Sequence, residues 1–170
     1  SGTGFARLRE ANVDVRVGLF SHDALELNIG FVKRMTTGLP WVRCKVAASI
    51  DGRTGLSNGE SQWITGEEAR QDGHRWRARA CAVLTGSGTV KYDDPQMTVR
   101  GVSTTLPLRQ PLRIVFDHLG EVSASAKVLR GGALIYGSNR MPQGLGPEVE
   151  LVSLPDATNP RQASGAKGCG

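Results

Sequence analysis

Apolar positions recur at helical spacing between His22 and Thr37, where Leu25, Ile29 and Val32, joined by Phe31 and Met35, precede the breaker run TTGLP. A short amphipathic helix is predicted over GFARLREAN at 4–12, and VDVRV at 13–17 alternates like a half-exposed strand that ends at Gly18. WVRCKVAASID at 41–51 predicts a strand rich in valine and alanine, followed by a long polar loop, ASIDGRTGLSNGESQWITG at 48–66. TGEE at 65–68 has the form of a capping box, with Thr65 and Glu68 bonding each other's backbone N–H. The helix after it places Ala69, Trp76 and Ala80 on one side and Arg70 and Arg77 on another. CAVLT at 81–85, LRIVFD at 112–117 and GALIYG at 132–137 predict buried strands, and VELVS at 149–153 a weaker one.

Strands alternating with helical segments predict an α/β sheet that is at least partly parallel. Ligands of such sheets lie beyond the carboxyl ends of the strands, which would gather ASIDG, GSGTV and FDHLG around one cleft. The last stretch, NPRQASGAKGCG, has no periodicity, so the domain is expected to be incomplete at its C-terminal end.

A length of 170 residues with 39% hydrophobic and 22% charged side chains fits one ordinary globular domain. No run reaches the roughly 18 to 20 apolar residues of a membrane span, and SGTGFARLRE lacks the order of a signal peptide, so a cytoplasmic location without membrane contact is expected. Cys44, Cys81 and Cys169 stand far apart, as do His22, His74 and His118, which predicts neither a local zinc site nor a disulfide framework. Cys44 and Cys81, inside apolar runs, are expected to be buried thiols. The net charge of +5 raises a basic nucleic-acid-binding module as one reading. The densest basic patch, HRWRARA, lies on a predicted helix, and aromatics are only 5%, too few for a stacking platform. The same charge suits a small phosphorylated substrate or cofactor.

Several residues carry candidate chemistry. GSGT at 86–89 follows a strand and is either a phosphate cradle or a tight turn. Asp93 and Asp94, ahead of Pro95, are either a proton donor with its neighbour or a turn. Lys45 needs a carboxylate, phosphate or carbonyl partner if its strand is buried, and none if it points to solvent. Arg77 and Arg100 can hold a phosphate bidentately or be solvated. Trp63 is unusual in a polar loop, as a core anchor or as one wall of a cofactor site.

Taken in order and spacing, WVRCKVAASIDGRTGLSNGESQWITGEEAR, HRWRARACAVLTGSGTVKYDDPQMTVR and QPLRIVFD resemble the reductase half of the bifunctional riboflavin-biosynthesis deaminase-reductase. The likeness covers about residues 41–137, and SxDGR, SQWIT and DDPxxTxR together are specific to it. Residues 4–35 resemble the end of the family's deaminase domain, which divides the chain into 1–40, deaminase tail and linker, and 41–170, a reductase domain.

The resemblance implies a dihydrofolate-reductase-like, three-layer α/β fold with a mostly parallel central sheet. It implies NADPH-dependent reduction of 5-amino-6-(5-phosphoribosylamino)uracil to its ribitylamino product, a cytoplasmic location and a homo-oligomer. Carried over by motif, Ala47, Trp63, Thr89, Asp93 and His118 would line the nicotinamide cofactor, His118 standing where the family commonly has serine. Ser61, Arg77, Met97 and Arg100 would hold the small phosphorylated pyrimidine, and Lys45 with Asp93 would be the polar pair nearest the reacting sugar. The zinc-binding HxE and PCxxxxxxxxC elements of the deaminase half are absent from the chain, as is the later EGG segment of the reductase. A stand-alone pyrimidine reductase of the same fold with another substrate is the nearest alternative.

Overall fold

The computed structural model describes residues 2–103, 107–137 and 144–153. The aperiodic stretch at 159–170 lies outside the described residues. The chain divides into two compact units, residues 1–46 and 47–170.

The first unit carries three short helices, α1 (Thr3–Glu10), α2 (Ser21–Leu27) and α3 (Ile29–Thr37). The single helix expected over 22–37 is split at Asn28, whose φ of −111° and ψ of 18° leave the helical region. The Asn28 side chain donates to the Ala24 carbonyl at 2.8 Å, the local competition that makes asparagine a helix terminator. Gly38, with φ 72°, ends α3 as the TTGLP run predicts.

No strand forms at 13–17 or at 41–49. A strand exists only through its pairing partner, and β propensity without one leaves an extended segment. Val42 and Val46 are accordingly exposed. The expectation that Cys44 and Cys81 are buried is corrected: both are exposed, Cys44 in the unpaired segment and Cys81 just ahead of the first strand.

The second unit holds the sheet. Its elements are α4 (Glu67–Ala78), β1 (Ala82–Gly86), α5 (Ser87–Asp93), β2 (Leu112–Asp117), a 3-10 turn (Lys127–Leu129), β3 (Ala133–Gly137) and β4 (Val149–Ser153). The four strands pair in the order β1-β2-β3-β4, all parallel, with Thr85 opposite Val115 and Val115 opposite Ile135. The expected α/β sheet is therefore present and parallel throughout its described strands.

One face of the sheet makes the core. Val115 and Ile135 are fully buried there, packed with Val90 of α5 and with Val122, Val128 and Leu129 from the β2–β3 crossover. Monotonic strand order explains this asymmetry, because successive right-handed crossovers in one direction all fall on one side. On the opposite face Leu84, Leu112 and Phe116 stay 41 to 55% exposed, and Phe116 stacks against Tyr136 with centroids 5.6 Å apart. No helix among the described residues is long and apolar enough to cross a membrane.

Candidate active site

The carboxyl ends of β1 and β2 open directly into the segments that carry candidate chemistry. β1 ends at Gly86, and α5 begins at Ser87, so GSGT is the entry and first turn of a helix rather than a tight turn, with Thr89 exposed on it. β2 ends at Asp117, which is 1% exposed. A buried carboxylate needs donors, and Asp117 takes the Glu121 N–H at 3.0 Å and the Val122 N–H at 2.9 Å. That pair of bonds closes the turn on which His118 sits.

The DDP element is split between two tasks. Asp94 closes α5 in a left-handed conformation, φ 39°, that aspartate tolerates better than most residues. Its Oδ1 accepts the Lys127 N–H at 2.9 Å and its Oδ2 lies 3.1 Å from Lys127 Nζ. The Lys127 N–H, then the Lys127 ammonium, hold the Asp94 carboxyl below the ordinary carboxylate range. Asp94 thus ties α5 to the 3-10 turn, leaving Asp93 to face elsewhere: the Ser61 hydroxyl donates to Asp93 Oδ1 at 2.9 Å.

Ser61 belongs to a loop built from two internal turns. In the first, the Arg53 N–H donates to Ser49 Oγ at 3.1 Å and Arg53 Nε to Asp51 Oδ2 at 3.0 Å, around Gly52 at φ 80°. The Ser49 hydroxyl, then Arg53, lower the Asp51 carboxyl below its usual range. In the second, the Leu56 N–H reaches the Glu60 carbonyl at 2.7 Å and Asn58 Oδ1 takes the Glu60 N–H at 3.0 Å. Trp63 follows. Its ring is 72% exposed, and the Arg70 guanidinium lies 4.4 Å from its centroid, so it is a surface ring rather than a core anchor.

The capping box does not form; Gly66 caps α4 with no side-chain bond, while Arg70 instead donates to the Thr65 carbonyl at 2.7 Å. From α4, Arg77 reaches the segment after α5 and donates to the Thr98 carbonyl at 2.7 Å. Arg100 returns the contact: its N–H donates to His74 Nδ1 at 3.2 Å, and its guanidinium to Gln96 Oε1 at 2.6 Å. Burial, then the neighbouring Arg100, lowers the affinity of Arg77 for its proton. Among the described residues no carboxylate forms an ion pair with Arg77 or Arg100. Two neighbouring guanidiniums without a carboxylate partner among the described residues are suited to an anion.

Met97, at φ 55°, turns the same segment and packs against the core. Gln110 clamps the segment from the other side, accepting the Val99 N–H at 2.8 Å and donating to the Val99 carbonyl at 3.2 Å. Sequence reasoning passed over Gln110 and His74; the second had a signal, lying one turn before Arg77 on the same helix.

Of the residues singled out from sequence, the fold brings Ser61 to Asp93, and Arg77 to the segment carrying Met97 and Arg100. Ala47 is half-buried at the start of the second unit. Lys45 is exposed and belongs to the first unit.

The chain is similar to known proteins. The chain is 43% identical over 139 residues to the riboflavin biosynthesis protein RibD of Escherichia coli, a match covering 76% of the chain and 38% of that protein. The solved structure of Acinetobacter baumannii RibD superposes with a TM-score of 0.79 at 40% identity, over 92% of this chain and 45% of that one. A Thermotoga maritima diaminohydroxyphosphoribosylaminopyrimidine deaminase/5-amino-6-(5-phosphoribosylamino)uracil reductase superposes with a TM-score of 0.78 at 29% identity, over 91% and 43%. The chain thus spans less than half the length of these relatives. The fold it shares with them is the dihydrofolate-reductase-like α/β arrangement. Residues 40–155, which carry the whole parallel sheet and both polar clusters, match the RibD C-terminal domain, and the chain belongs to that family.

Proposed function

We propose that this chain supplies the reductase site of riboflavin biosynthesis, the NADPH-dependent reduction of 5-amino-6-(5-phosphoribosylamino)uracil to the ribitylamino product. The observation that carries the reading is the presence of two unlike polar clusters in the second unit. Ser61 with Asp93 offers a hydroxyl and a carboxylate, and Arg77 with Arg100 offers charge for a phosphate. Kinship with RibD supports the same reaction.

The residues fit a nicotinamide cofactor. An exposed indole with a guanidinium on its face offers an apolar platform beside a cation, the two things a nicotinamide dinucleotide presents surfaces for. Trp63, with Ala47, Thr89, Asp93 and His118, would hold it. The cofactor, when bound, supplies the hydride that ends on the anomeric carbon of the ring-opened sugar. Reduction of the open-chain imine also needs one proton on nitrogen, and Asp93 is the group assigned to relay it, oriented by the Ser61 hydroxyl. Ser61, Arg77, Met97 and Arg100 hold the substrate, the arginines its phosphate.

Residues 1–40 are assigned to the end of a deaminase domain and its linker, and 41–170 to the reductase domain. A cytoplasmic, self-associating protein follows from the same reading; exposed Leu84, Leu112 and Phe116 support association, which sedimentation would measure.

Titration with NADPH and with NADH, following tryptophan emission, tests the cofactor assignment. Saturable quenching by NADPH that is lost in Trp63→Phe is the expected result. Quenching that is absent, or unchanged in Trp63→Phe, rejects the placement of Trp63, and absence of substrate reduction by the chain rejects its activity.

A further inference from the structure

His74 stands inside the arginine cluster without a part in the reading above. It projects from α4 one turn before Arg77, is half-buried, and accepts the Arg100 N–H on Nδ1. Building on the proposal that Arg77 and Arg100 receive the substrate's phosphate, we infer that His74 is a positioning residue for that anion site, its neutral imidazole fixing the backbone at Arg100 so that the two guanidiniums converge.

An imidazole nitrogen accepts only when it carries no proton, so the bond to Arg100 requires the neutral ring with its hydrogen on Nε2. The surroundings favour that state. Burial first, then Arg77 on the same helix and Arg100 from the segment after α5, push the ring's proton affinity down, and a hydrogen bond with the Thr98 backbone opposes them more weakly. Thr98 is also the acceptor for Arg77. One short segment, 98–100, is therefore held at both ends by α4, by Arg77 at Thr98 and by His74 at Arg100.

Sulfate is the appropriate probe, because it stays doubly charged across the range in which histidine titrates. Binding is followed at pH 7.5 through the Arg100 amide resonance, and the His74 tautomer is read from its ring nitrogen shifts. Wild-type protein is expected to bind saturably, with His74 in the Nε2–H form. His74→Ala, which removes the acceptor, weakens sulfate about fivefold, as loss of one net hydrogen bond does. His74→Asn, whose side-chain oxygen can take the place of Nδ1, stays within about twofold of wild type.

Sulfate affinity unchanged in His74→Ala overturns the inference. If Arg77→Gln still abolishes binding in that case, the phosphate site stands without His74. If wild-type protein shows no saturable binding, the phosphate assignment falls and the role of His74 with it.

Discussion

The Ser61 hydroxyl donates to Asp93 Oδ1 at 2.9 Å across 32 positions of sequence, and it is the bond that brings the polar loop to the end of α5. A serine donor leaves the second carboxylate oxygen of Asp93 available to exchange a proton with a bound molecule. Asp93→Asn keeps an acceptor for Ser61 but removes the basic oxygen. Turnover should fall on the order of a hundredfold or more while NADPH affinity stays within about threefold, measured as kcat against a fluorescence Kd. Unchanged kcat would remove Asp93 from the proton path.

Arg77 serves two partners at once, the Thr98 carbonyl and, in the proposed reading, a phosphate. Lysine can satisfy the carbonyl with one donor but lacks the planar fork for a phosphate. Arg77→Lys should therefore raise KM for the phosphorylated substrate roughly tenfold to a hundredfold with little change in melting temperature. A large loss of stability with KM unchanged would make Arg77 a structural clamp only.

The strands were legible as short apolar runs, although burial alternates only in β2 and β3, and β4 has no buried residue. LRIVFD matches β2 from Leu112 to Asp117, and CAVLT, GALIYG and VELVS match their strands to within a residue at either end. The segment at 41–51 carries the same residue types and forms no strand, because pairing is supplied by a partner and not by valine. Local patterns also misled at GSGT, where glycine content pointed to a loop and α5 starts at Ser87. The motif residues could be named from resemblance, but their grouping could not. That Asp94 turns away to Lys127, freeing Asp93 for Ser61, depends on a contact 33 positions distant.

The two faces of the sheet should respond differently to truncation. Ile135 is fully buried against the crossover, so Ile135→Ala should cost about 2–5 kcal/mol, the range for a cavity in a packed core. Leu84, 55% exposed on the other face, should cost about 1 kcal/mol or less as Leu84→Ala. Urea denaturation of both variants measures the contrast, and equal losses would mean that the Leu84 face is packed in solution.

Asp94 makes acid sensitivity predictable in sign. Its carboxyl is held below the ordinary value by the Lys127 N–H and ammonium, so the folded state binds a proton less readily than the unfolded chain. The stabilisation is complete above the unfolded value, near pH 4, and is lost as pH falls through the lower folded value. Melting temperature should thus be flat across neutral pH and drop below about pH 4. Asp51, shifted in the same direction by Ser49 and Arg53, contributes to the same limb, so variants must separate them. Asp94→Asn keeps an acceptor for the Lys127 N–H and tolerates φ 39° but cannot titrate; it should melt lower than wild type at pH 7 and show a shallower acid limb. Asp94→Ala loses the acceptor and strains the left-handed turn, and should melt lower still, by on the order of several degrees from wild type. An acid limb equally steep in Asp94→Asn would assign it to other carboxylates and leave Asp94 a geometric element alone.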